Sequence, residues 1–127
     1  MIKIDGIDHV ALAVRDVRRS VAWYEQVLEL ERLHEDVWGD FPAVVGLGTT
    51  SIALFPVEGD HPKPSPGRDT LAMRHVAFRA SRACFQTLRG RLKKLGIEFE
   101  FQNHKIAHSI YFHDPDGHEV EITTYEL

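Results

Sequence analysis

The chain has 127 residues, 43% of them hydrophobic and 27% charged, with a formal net charge of -4. That is globular composition, and the length suffices for one core-bearing domain. So mild an acidic balance gives no footing for nucleic acid or an anionic membrane. No apolar run approaches the roughly 20 residues of a membrane helix. The N-terminus, MIKIDGIDHV, lacks a signal-peptide layout, so a cytoplasmic protein is expected. Cys84 is the single cysteine, which excludes an internal disulfide and reads as a small buried hydrophobe.

In chain order, Ile7 to Val14 alternates like a strand, and Val17, Val21, Trp23, Tyr24, Val27 and Leu28 then recur at helical spacing behind the N-cap candidate Asp16. Strand-like runs follow at Glu31 to His34, Ala43 to Leu47 and Ser51 to Val57. The segment 58–70 is rich in Pro and Gly and reads as a linker. The pattern then repeats. Met73 to Ala80 resembles Ile7 to Val14, and Ser81 is the next N-cap candidate. Phe85, Leu88, Leu92 and Leu95 mark a second helix that Gly96 stops. Strands are expected at Glu98 to Phe101, Ser109 to Phe112 and Glu119 to Tyr125, the last two joined by the turn Asp114-Pro115-Asp116-Gly117.

The layout is therefore α+β: two βαβββ modules, about 5–57 and 71–127, within one domain spanning 1–127. They form a concave mixed-sheet cup with helices on the outer face. Strand side chains alternate between faces. With Val10, Leu12 and Val14, Val76 and Phe78, and Val120 and Ile122 packed on helices, the cup side receives His9, His75 and Glu121. Ser51, Ala53 and Phe55 share that side, as do Ser109 and Tyr111. His9 and His75 are repeat equivalents, and so are Ala53 and Glu121. Alone, each of these histidines and the glutamate reads as an ordinary half-buried polar residue. Together they are two imidazoles and a carboxylate with coordination positions open, the donor set of a catalytic metal.

Other residues follow from position. Tyr111 is a candidate donor to a substrate oxygen, or an aromatic filling the cup. His104 is a candidate acid–base group or a surface loop residue. His108 shares parity with Ile110 and Phe112 and should face away from the metal. Trp38, Phe41 and Phe55 suggest an apolar rim for a small, oxygen-bearing and aromatic substrate, or a dimer contact. Exposed sheet edges favour a homodimer.

The segments IDHVALAVRDVRRSVAWYEQVLEL, RHVAF and SIYFHDPDGHEVEITTYEL resemble the vicinal oxygen chelate superfamily over nearly the whole chain. That superfamily includes glyoxalase I, fosfomycin-modifying thiol transferases, extradiol dioxygenases and bleomycin-resistance proteins. The resemblance implies a divalent metal held by His9, His75 and Glu121, with Fe(II) favoured over Mn, Zn or Ni. It also implies a dimer, with the cup completed within one chain or by module exchange. Ala53 stands where glyoxalase I supplies a fourth ligand, and Ala11 where the fosfomycin transferases carry a Thr. Tyr111 lies ten residues before Glu121, as a Tyr does in the dioxygenases. The dioxygenase-like branch is thus the favoured expectation. A non-catalytic drug-binding protein and a fosfomycin-type transferase or isomerase are the alternatives.

Overall fold

The computed structural model describes residues Met1–Leu127, which divide into two compact units, Met1–Pro62 and Lys63–Leu127. The first opens on β1 (Val10–Val14), α1 (Val17–Leu28) and β2 (Glu31–Leu33), followed by a short α2 (Glu35–Trp38), β3 (Ala43–Leu47) and β4 (Thr50–Pro56). Its four strands lie in the order β1-β4-β3-β2. β1 runs parallel to β4, and the other two pairings are antiparallel.

The second unit holds β5 (Val76–Arg79), α3 (Arg82–Lys94), β6 (Glu100–Asn103), β7 (His108–His113) and β8 (Glu119–Thr124). Its order, β5-β8-β7-β6, is the first sheet's order repeated, with β5 parallel to β8. Two four-stranded mixed sheets, each with its own long helix, make the chain α+β as expected. The repeat extends to register. Ala11 pairs with Ala53 in one unit, and Ala77 pairs with Glu121 in the other. Val44 faces Ala53 as Tyr111 faces Glu121.

Both helices begin where their caps dictate. Asp16 Oδ1 accepts the Arg19 N–H at 3.0 Å, and Ser81 Oγ accepts the Cys84 N–H at 3.2 Å. Each satisfies a donor the first helical turn would leave unpaired. At the end of α3, Gly96 adopts φ +70, its N–H bonding Lys93 O while Ile97 N–H bonds Leu92 O. This paired closure needs the left-handed residue that glycine supplies without strain. Arg91, Lys93 and Lys94 sit in that last turn, where positive charge meets the carbonyl end of the helix dipole.

Helix-side packing follows the strand alternation. Val14, Val45, Ile52 and Leu54 are buried with Val17, Val21, Tyr24 and Val27 of α1. In the other unit Ile110, Phe112, Val120 and Ile122 are buried with Phe85 and Leu92 of α3. The exposed alanines Ala11 and Ala77 mark the opposite face.

Several expectations need correction. β1 and β5 start at Val10 and Val76, so His9 and His75 stand one residue ahead of their strands. His34 is not in a strand; it takes φ +60 and precedes α2, a helix the apolar spacing did not announce. Cys84 is exposed, because it lies on the first turn of α3 away from the Phe85 and Leu92 stripe. Leu95 is exposed as well, beyond the last helical turn.

The capping geometry sets an expected cost. Asp16→Ala removes the acceptor for Arg19 N–H, and the protein should lose about 0.5–2 kcal/mol of stability in urea unfolding. A loss below the error of the extrapolation would mean that water satisfies this turn equally well.

Candidate metal centre and ligand cavity

In the second unit the alternation of β8 puts Glu119 and Glu121 on the same face, the one away from α3. The parallel pairing Val76 with Val120 and Ala77 with Glu121 continues one step to bring His75 alongside them. The imidazole lies between the two carboxylates: Nε2 is 2.9 Å from Glu121 Oε1, and Nδ1 is 3.4 Å from Glu119 Oε1. Glu121 is nearly buried, its side chain only 11% exposed. A carboxylate so placed needs hydrogen bonds and a countercharge.

Ser109, fully buried on β7, supplies one hydrogen bond: its hydroxyl donates to Glu121 Oε2 at 2.7 Å. A serine has a single hydroxyl proton and an ionised carboxylate only accepts. The 3.0 Å contact between Ser109 Oγ and Thr123 Oγ1 therefore runs with the threonine as donor.

Tyr111 faces Glu121 across the β7–β8 pair. Its hydroxyl lies 2.9 Å from His104 Nε2, and its ring meets His75 edge-on with centroids 5.7 Å apart. Burial raises the phenol above its ordinary range. The negative charge of Glu121 and a hydrogen bond to that carboxylate raise it further, the Ser109 contact opposing in part, and Glu119 adds a smaller push upward. Tyr111 is thus a protonated hydrogen-bond donor, not a phenolate. His104, in an exposed loop, joins the same network through this bond. His108 does not: it pairs with Thr124 and meets Phe101 edge-on, in a hollow lined by Phe85 and Arg89 on the α3 side.

In the first unit His9 Nδ1 is 2.8 Å from Asp8 Oδ2, and Ser51 Oγ donates to Asp8 O at 2.9 Å. Beside it opens a cavity of about 400 Å³. Ser51, Ala53 and Phe55 line it from alternate positions of β4, with Val44, Leu33, Pro42 and Trp38 around them. Phe41, expected on this rim, is not among its lining residues. His34 is, packed edge-on against Trp38 at 5.2 Å, although nothing in the sequence singled it out. Its left-handed backbone ahead of α2 puts it there, and apolar periodicity does not report such a turn.

The three expected metal ligands therefore divide between the units: His75 and Glu121 touch within one, and His9 belongs to the other. Within neither unit do three metal-ligand side chains gather around one point. The pair present fits a metal ion. Two donors about 2.1 Å from one ion at a right angle lie about 3.0 Å apart, close to the 2.9 Å between His75 Nε2 and Glu121 Oε1. A divalent cation would also supply the countercharge that the buried carboxylate requires. With Nδ1 engaged by Asp8, His9 has Nε2 left for a ligand.

The fold and these residues define a class. The chain belongs to the Glyoxalase/Bleomycin resistance protein/Dioxygenase superfamily, whose family model matches residues 6–122. Among solved structures, it is similar to a glyoxalase/dioxygenase from Nostoc punctiforme, with TM-score 0.79, 25% identity and 94% and 90% of the two chains covered. It also resembles a domain of the same superfamily from Frankia sp. EAN1pec, with TM-score 0.78, 26% identity and 96% and 93% covered. Among curated proteins it is similar to glutathione transferase FosA of Serratia marcescens, 31% identical over 94% of this chain and 80% of that one. Metallothiol transferase FosB of Lysinibacillus sphaericus is also 31% identical, over 98% and 85%. No helix is long and apolar enough to cross a membrane.

The Ser109 bond offers a direct test of the site's electrostatics. Ser109→Ala leaves Glu121 Oε2 without its donor, so the metal-free protein should lose about 1–3 kcal/mol in urea unfolding. An unchanged midpoint would mean that the carboxylate is hydrated, contrary to its burial.

Proposed function

We propose that this protein is a divalent-metal-dependent enzyme that transfers a thiol to a small, oxygen-bearing substrate. The observation that carries the reading is the buried Glu121 held 2.9 Å from His75 Nε2 on an open sheet face, with Tyr111 beside both. His75, Glu121 and His9 would hold the ion. When bound, it supplies Lewis acidity toward a substrate oxygen.

The chain's own side chains do the rest. Ser109 keeps Glu121 fixed. Tyr111, held protonated, donates a hydrogen bond to the substrate oxygen on which negative charge grows. His104 orients the Tyr111 hydroxyl. The cavity lined by Trp38, Phe55, Leu33 and Val44 takes the apolar part of the substrate, aromatic or aliphatic. None of its lining residues is Lys or Arg. Two relatives bear the names glutathione transferase and metallothiol transferase, which favours group transfer over the dioxygenase-like branch expected from Tyr111. The Ala11 departure weighs little against similarity along the whole chain.

The experiment is a metal titration followed by turnover. Wild type should bind about one Mn(II) per His9, His75 and Glu121 set, and His75→Ala should lose stoichiometric uptake. Metal-loaded protein supplied with glutathione or another low-molecular-weight thiol and fosfomycin should consume the thiol. Tyr111→Phe should slow that consumption by about 10²–10³ while leaving metal uptake intact. Oxygen uptake with a catechol, and no thiol loss with any acceptor, would instead restore the dioxygenase reading.

The division of ligands between units also bears on assembly. We infer a homodimer in which exposed apolar residues of the segments leading into β1 and β5, among them Ile4, Ile7, Leu71 and Met73, are covered. Sedimentation at micromolar concentration should give a dimer mass; a monomer would overturn this.

A further inference from the structure

We propose that Glu119 is a positioning residue that fixes the ring of His75, so that Nε2 is presented beside Glu121; the proposal rests on the metal-centre reading. Glu119 lies two residues before Glu121 on the same face of β8, opposite His75 in the continued parallel register. Of its neighbours the His75 imidazole is nearest. Nδ1 is 3.4 Å from Oε1, while Arg68 and His113 approach Oε2 only to 3.9 Å. The Glu119 side chain is 17% exposed, so its charge is less screened than that of an open surface carboxylate. Without a metal, Nε2 faces Glu121 Oε1; once a metal takes Nε2, an acceptor on the Nδ1 side would hold the ring proton there.

The first unit reaches the same end by another route. There the residue opposite His9 in the continued register of β1 with β4 is Ser51, too short to bridge to the ring. Its hydroxyl instead fixes the Asp8 backbone carbonyl at 2.9 Å, and the Asp8 carboxylate takes His9 Nδ1 at 2.8 Å. Two modules of one repeat thus give their leading histidine a carboxylate on the same ring nitrogen, from different sequence positions. Repeat descent alone does not produce that, since Asp8 corresponds to Arg74 and Ser51 to Glu119. The shared requirement is a histidine with Nδ1 occupied and Nε2 offered.

The test uses metal-stripped protein titrated with Mn(II), free ion being read by electron paramagnetic resonance, and a second readout on Zn(II)-loaded protein. E119Q, which keeps the shape and loses the charge, should weaken Mn(II) binding by about 10-fold, and E119L by up to about 100-fold. In the Zn(II) form the His75 Nδ1 proton should exchange slowly in wild type and quickly in E119L. A purely structural role would change melting of the metal-free protein without touching that proton. Variants that bind Mn(II) as tightly as wild type overturn the proposal, and so does lost affinity with an unchanged Nδ1 proton. Should E119L fail to fold, E119Q decides by the same two measurements. Wild type that takes up no Mn(II) would overturn the metal centre itself, and this inference with it.

Discussion

Glu121 is the constraint around which the second unit is arranged. A carboxylate at 8% exposure has given up most of its hydration, and an uncompensated ion there costs several kcal/mol. Neighbouring polar groups must repay that cost. Ser109 gives one oxygen a proton, and His75 stands at the other. Those positions are not free choices. β7 must place a small hydroxyl residue on the side facing Glu121, and the segment entering β5 must end in an imidazole. The antiparallel β7–β8 register brings Ser109 to Glu121, and the parallel β5–β8 register brings His75. A one-residue slip would turn Glu121 into the α3 core and Ile122 outward, so apolar packing on one face fixes polar chemistry on the other.

The two units use one scaffold for opposite purposes. Ala53 occupies the register position of Glu121, Val44 that of Tyr111, and Ser51 that of Glu119. Each exchange removes a charge or a hydroxyl and leaves space or apolar surface. The result is a cavity of about 400 Å³ in the first unit and a polar network in the second. What the first unit keeps is the histidine at the strand entrance with its carboxylate partner. One scaffold thus presents apolar surface in the first unit and charged groups in the second.

Much of this was legible from residue order, because it depends on period-two alternation. Faces, register equivalents and helix caps follow from Val10-Leu12-Val14, Val120-Ile122, Asp16 and Ser81. The placement of His108 on the helix side follows the same way. What escaped depended on backbone turns or on distance. α2 is four residues long, too short for a helical period to show. His34 reaches the cavity only through its left-handed backbone. Phe41, two residues from Gly39, turned out to stand off the rim that Trp38 and Phe55 share. Alternation puts Glu119 on the face of Glu121, yet its contact with His75 is a matter of side-chain reach across two strands. The branch of chemistry does not follow from residue order, for a different reason. The Tyr111 spacing identifies a shared structural position, and several reactions can use a hydroxyl there.

The surroundings of that hydroxyl do fix its protonation state. Burial and two nearby carboxylates all push the Tyr111 phenol upward, so at neutral pH it carries its proton. A base drawing a proton from substrate would need the opposite shift, toward a phenolate near neutrality. With its proton in place the hydroxyl can give a hydrogen bond. His104 Nε2, 2.9 Å from the same hydroxyl, can hold the phenol in orientation, since its distance suits a hydrogen bond in either tautomer.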